Sequence, residues 1–103
     1  NKSGEYLKPS VESGAIALNN IQLDQYLAGQ NPNPEAKGAY PIATLTWVLA
    51  YEAGNGDKTD QLKEMLNYML SETSQQKASS LGFVPLNGDI LEASKAAINN
   101  IGE

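Results

Sequence analysis

The run from Ala39 to Tyr51, AYPIATLTWVLAY, constrains this chain more than any other stretch. It reads as a strand. Ala43, Leu45, Trp47, Leu49 and Tyr51 fall on one face, and Thr44, Thr46, Val48 and Ala50 on the other. The second face is also apolar towards its C-terminal end, the pattern of a strand covered on both sides. Pro41 directs Tyr40 to an extended conformation. Lacking an N–H, Pro41 suits a strand entrance. The only Trp of the chain lies on this strand and reads as core. A lone strand cannot satisfy its own backbone N–H and C=O groups, and every other strong segment reads as helix. The strand therefore either pairs with short pieces of its own chain or belongs to a sheet lying partly outside these 103 residues.

The helical segments are marked by their ends and their periods. Pro9-Ser10 opens the first, with Ser10 as N-cap and Val11, Ala15, Leu18 and Ile21 at helical spacing. Gly14 weakens that helix, by about 1 kcal/mol relative to Ala. Residues 21–27 fit a helix extension or a short extended piece. Gly29-Gln30-Asn31-Pro32-Asn33-Pro34 allows no regular element. Beyond the strand, Gly54-Asn55-Gly56 is a turn, and Asp57 or Thr59 can cap a long helix. In that helix Leu62, Met65, Leu66, Met69 and Leu70 make an amphipathic stripe, with both Met side chains read as core. Residues 73–81 continue it or start a second helix, stopped by Gly82. Phe83 to Leu86 is briefly extended, and Asn87 to Asp89 opens a last helix carrying Ile90, Leu91, Ala97, Ile98 and Ile101.

Composition removes several functions. The formal net charge is −5, and all seven basic residues are Lys, thinly spread. A nucleic-acid partner requires a basic face, so none is expected. No basic cluster exists to hold an anionic membrane. Cys and His are both missing, which removes thiolate metal sites and the commonest general base and metal ligand. No apolar run reaches the roughly 20 residues of a membrane span. Asn1-Lys2-Ser3-Gly4 lacks the apolar core of a signal peptide, and there is no initiator Met. A processed or excised piece is therefore expected, not a complete translation product.

Candidate chemistry is sparse. Ser10 with Lys8, and Ser94 with Lys95, are the available Ser–Lys neighbours. Neither sits in a recognisable motif, and the plainer reading is a cap and a solvent-facing pair. Asp57, Asp60 and Glu64 near a helix start read as dipole and solubility residues. Gly54-x-Gly56 occupies a position where helix N-termini bind anions. It lacks the further glycines and the Lys of a phosphate loop. The chain is thus not expected to be an enzyme, and no catalytic residue, metal ligand or cofactor is assigned.

Four blocks in order resemble the C-terminal part of the periplasmic phosphate-binding proteins of phosphate-specific ABC transporters. They are Asn1 to Ser13 (NKSGEYLKPSVES), Ala39 to Trp47 (AYPIATLTW), the helix with Leu66, Tyr68 and Leu70, and Leu81 to Leu86 (LGFVPL) followed by the last helix. Together they cover essentially the whole chain. Asn87 departs from the family's second Pro after Leu86, and Ser74-Gln75-Gln76 departs from its usual Gly-Gln pair.

The resemblance implies an α/β fold: the C-terminal portion of a two-lobed type II periplasmic binding protein, helix-rich with one long central strand. Residues 1–40 would belong to the second lobe and the loop towards the hinge, and residues 41–103 would complete the first lobe. Tyr40 and Pro41 would lie at the hinge. The implied partners are inorganic phosphate in the complete protein, the membrane permease and the remainder of the binding protein. The implied location is the periplasm or cell envelope. The family's phosphate-contacting residues lie in other segments, and no Arg is present, so no ligand-contacting residue is assigned here. The competing readings are a free-standing small α+β interaction or scaffold domain and a binding protein for a related oxyanion.

Overall fold

The structure, a computed structural model, describes all residues from 1 to 103. It contains four helices, α1 (Val11–Leu18), α2 (Thr59–Met69), α3 (Glu72–Ser80) and α4 (Gly88–Asn99), with a 3₁₀ turn, Gly56–Lys58, leading into α2. It contains no β-strand, which corrects the expectation of an α/β chain with one long central strand. From Pro41 to Tyr51 no residue makes a backbone–backbone hydrogen bond. The reason is the one the sequence raises: a ladder needs a second strand, and the short extended piece after Gly82 does not supply one.

The alternation within that segment is nonetheless visible. Ala43 and Leu45 are half-buried, whereas Ile42, Thr44 and Thr46 are exposed. Ala43 and Leu45 rest on a small cluster of Leu18, Ile21 and Ile90, together with Leu23, Val84 and Leu86. Beyond Leu45 the support ends. Leu49 is 94% exposed and Val48 57%. Trp47 is 44% exposed, so it is not a core residue of this chain.

Helix ends follow local chemistry. Ser10 caps α1 in a full capping box: its Oγ accepts from the Ser13 N–H at 3.1 Å, and Ser13 Oγ accepts from the Ser10 N–H at 3.0 Å. Neither Asp57 nor Thr59 caps α2. The 3₁₀ turn takes that role, and Thr59 Oγ1 donates back to the Gly56 carbonyl at 2.8 Å. Ser71 breaks α2 from α3, its Oγ accepting from the Ser74 N–H. After α3 the Gly82 N–H reaches the Ser79 carbonyl and the Phe83 N–H the Ala78 carbonyl, a Schellman motif. Its left-handed residue is Gly82, at φ 85°.

Packing is thin. α2 lies on α4, and Leu66 and Ile98 are buried there. The apolar stripe of α2 is narrower than expected: Leu62 and Leu70 are half-buried beside Leu66, but Met65 and Met69 stand 52% and 43% exposed. One covering helix cannot shield the width of both ridges. α1 approaches the 84–86 segment so closely that a Cβ on Gly14 would lie 2.6 Å from Val84 Cγ2. Gly14 is thus the residue that lets α1 dock. Only 11 of the 103 residues are buried, and the radius of gyration is 15.2 Å. A compact domain of this length has about 13 Å. The molecule is accordingly elongated, 51 × 28 × 16 Å.

Candidate functional site

Tyr40 and Pro41 sit where a pinned loop gives way to the unpaired segment. On the pinned side, the chain start is laced to residues 34–39. The Asn1 side-chain amide donates to the Ala36 and Ala39 carbonyls at 3.3 and 3.2 Å. It also donates to Glu5 Oε2 at 2.9 Å. That carboxylate oxygen further accepts from the Gly38 N–H at 2.8 Å and the Ser3 hydroxyl at 3.2 Å. The Lys2 N–H bonds the Pro34 carbonyl at 3.1 Å. Pro34 and Ala39 are fully enclosed by these contacts.

The Glu5 carboxyl is held below its usual value of 4.5, first by the Asn1 side chain and then by the Gly38 N–H, against a desolvation cost that outweighs either of the lesser aids from Ser3 and nearby Lys37. The Glu12 carboxyl is lowered too, by its own backbone N–H first and the Ser10 hydroxyl second, as suits the first turn of a helix. α1 secures the last pinned residue: the Tyr40 N–H donates to the Ser13 carbonyl at 3.0 Å.

Downstream, the segment is tied at three places. Ala43 and Leu45 touch the α1–α4 cluster. The Trp47 indole N–H donates to the Leu27 carbonyl at 2.7 Å. Leu27 itself has φ 61°, rare for a branched residue. The Asp24 carboxylate holds that bend by accepting from the Tyr26 and Ala28 N–H groups at 2.8 and 3.0 Å. Finally the Gly102 N–H donates to the Glu52 carbonyl at 2.8 Å, and Asn55 Nδ2 bridges the Tyr51 and Gly102 carbonyls at 2.9 Å each.

The Ser–Lys pairs resolve into structural roles. Ser10 Oγ is occupied as the α1 cap, and Lys8 contributes its carbonyl, which accepts from Ser13 Oγ at 3.0 Å. Ser94 Oγ donates to the Ile90 carbonyl at 2.8 Å, while Lys95 pairs with Glu92 at 3.7 Å on the surface. Asp57, Asp60 and Glu64 form no metal-binding cluster. Every buried side-chain polar atom already has a hydrogen-bond partner. No helix is long and apolar enough to cross a membrane.

One surface feature escapes sequence reading. An open groove of about 690 Å³ runs along α3, bounded by Tyr68, Lys77, Leu81 and Phe83. The signal for it was Tyr68, an aromatic residue beside the stripe of α2, and Phe83 directly after the Gly82 stop. The groove gathers hydroxyls and one ammonium, with no paired acid and base.

No protein-family profile matches the chain. The chain is similar to the phosphate-binding protein PstS of Methanocaldococcus jannaschii, with 28% identity over 116 aligned positions. The match takes in the whole of this chain and 30% of the archaeal protein, so the chain spans under a third of that relative's length.

Proposed function

We propose that this chain supplies one part of a phosphate-binding protein serving an ABC transporter outside the cytoplasmic membrane, and that it contributes scaffold and not phosphate contacts. The observation that carries this reading is the similarity to the archaeal phosphate-binding protein, which runs the full length of the chain. Two others support it. Dehydrated oxyanions are commonly held by Arg forks, hydroxyls and helix N-terminal amides, and the chain has no Arg. A core of 11 buried residues and an apolar segment without backbone partners suit a piece that other segments cover.

On this reading residues 1–40 belong to one lobe, residues 41–103 help complete the other, and Tyr40-Pro41 is the hinge where the chain crosses. The membrane permease and the remaining binding-protein segments are the partners. The test is to graft the 103 residues in place of the aligned part of the archaeal protein and to titrate graft and isolated chain with phosphate by calorimetry. The graft should bind phosphate in preference to sulfate, and the isolated chain should bind neither. Tight binding by the isolated chain, or a folded graft that is silent towards phosphate, contradicts the proposal.

A further inference from the structure

The tripeptide Asn-Gly-Asp occurs twice, at Asn55-Gly56-Asp57 and at Asn87-Gly88-Asp89, and no other Asn is followed by Gly. An Asn before Gly is prone to lose its side-chain amide, because glycine has no side chain to shield the backbone nitrogen that attacks it. The two triplets share the same intrinsic chemistry, so only the fold can separate them, and it gives them opposite surroundings. Asn55 is half-buried, and its Nδ2 donates to the Tyr51 and Gly102 carbonyls at 2.9 Å each. Asn87 is exposed, and its Oδ1 accepts from Asn19 Nδ2. We infer that Asn87 is a site of spontaneous covalent modification: Gly88 closes on its side chain to a succinimide, which water opens to aspartate or isoaspartate, and Asn19 promotes the closure.

The step needs only water. The Gly88 backbone nitrogen gives up its proton to water or hydroxide and attacks Asn87 Cγ, forming an N–Cγ bond while negative charge develops on Oδ1. The Cγ–Nδ2 bond then breaks, and the amide leaves as ammonia after taking a proton from water. The nucleophile is open: Gly88 is the first residue of α4, and its N–H makes no backbone hydrogen bond. The position also requires glycine, at φ 58° and with Asn19 Oδ1 only 2.8 Å from where a Cβ would lie. Asn19 is anchored at the end of α1, its Nδ2 donating as well to the Ala15 carbonyl at 3.0 Å. That second bond fixes which end of the Asn19 amide faces Asn87. Its N–H is therefore aimed at the oxygen on which charge develops, the arrangement that stabilises a tetrahedral intermediate. At Asn55 the leaving amide is tied to two carbonyls, and both bonds must break before ammonia departs. The aspartate product suits its place, because a carboxylate at the N-cap of α4 lies at the positive end of the helix.

This inference is independent of the phosphate reading and is tested on the full chain without any ligand. The chain is incubated in mildly alkaline buffer, and peptide mapping by mass spectrometry follows the amide-to-acid exchange at each triplet. Isoelectric focusing follows the negative charge added to the net −5. In the folded chain Asn87 should convert about tenfold faster than Asn55, whose two hydrogen bonds must first be broken. In urea the two rates should converge, since the triplets are identical. Asn19→Ala removes the donor to Oδ1 and should slow Asn87 about fivefold, the kinetic worth of one hydrogen bond, with the Asn55 rate and the helical circular dichroism unchanged. The comparison of folded and unfolded chain needs no variant and stands even if Asn19→Ala disturbs α1. Equal rates in the folded chain, a difference that persists in urea, or an undiminished Asn87 rate in a folded Asn19→Ala would each overturn the inference.

Discussion

The indole N–H of Trp47 donates to the carbonyl of Leu27 at 2.7 Å while 44% of the residue stays exposed. That single bond tethers the middle of a strand-patterned segment to a bend organised by Asp24. It replaces the burial that the alternation of residues 43–51 leads one to expect. Trp47→Phe should therefore cost about 1 kcal/mol, the worth of one hydrogen bond. Trp47→Ala should remain below the roughly 3–5 kcal/mol typical of a core Trp. Urea unfolding of the 103-residue chain measures both.

Gly14 and Val84 make the second prediction. A methyl on Gly14 would meet Val84 Cγ2 at 2.6 Å, and a β-branched side chain has little freedom to retreat. Gly14→Ala gains about 1 kcal/mol of helix propensity and should nonetheless destabilise by about 1–2 kcal/mol net through overpacking. Adding Val84→Ala should recover part of the loss. A double-mutant cycle on chemical denaturation reads the coupling.

Leu66 and Met65 adjoin on α2 and should behave differently. Leu66 is buried against α4, so Leu66→Ala should cost about 2–4 kcal/mol. Met65 is 52% exposed, so Met65→Ala should stay within about 0.5 kcal/mol. Equal losses would mean that a further surface covers α2 in solution.

Acid should loosen the start of the chain. The Glu5 carboxyl titrates below its usual 4.5 because Asn1, Gly38 and Ser3 donate to its ionised form. A group depressed on folding adds stability above its unfolded value and loses it as pH falls through the folded one. The contribution is therefore whole above about pH 5 and fades below the ordinary carboxylate range. Melting temperature should fall more steeply on acidification in the unmodified chain than in Glu5→Gln. Glu12, lowered in the same direction, remains in both and cancels in the comparison.

Local chemistry was legible in the sequence wherever it depends on neighbours within a turn. The Ser10 cap and the Gly82 stop lie where propensity and capping put them, whereas α4 opens after Asn87 without a capping hydrogen bond from the Asn87 side chain, whose Oδ1 accepts from Asn19. Ser71 was harder to see, because it directly follows the apolar stripe ending at Leu70, with no Pro or Gly beside it to mark the break, whereas Ser10 follows Pro9. The left-handed Leu27 carries no sequence mark at all.

The sheet was misjudged for a different reason. Alternation reports which side chains would share a face, and Ala43 and Leu45 do face the cluster around Leu18. It does not report whether another strand is present to take the hydrogen bonds. Met65 and Met69 failed in the same way, since periodicity marks a face as apolar and only tertiary neighbours decide how much of it is covered. At the candidate site, Tyr40-Pro41 was marked in the sequence, as a hinge, by the family resemblance alone. The clasp of Asn1 and Glu5 on residues 36–39 was not, because it joins residues more than thirty apart.

Residues 42–51 alternate like a strand yet make no backbone–backbone hydrogen bond in this chain, and the proposed function has other segments of a longer protein cover them. Amide hydrogen exchange at these residues tests it most directly, compared between the dilute monomeric chain and the graft into the archaeal protein. Fast, unprotected exchange in the isolated chain and strong protection in the graft is the expected result. Protection already present in the monomer, or exchange equally fast in a folded graft, would contradict it.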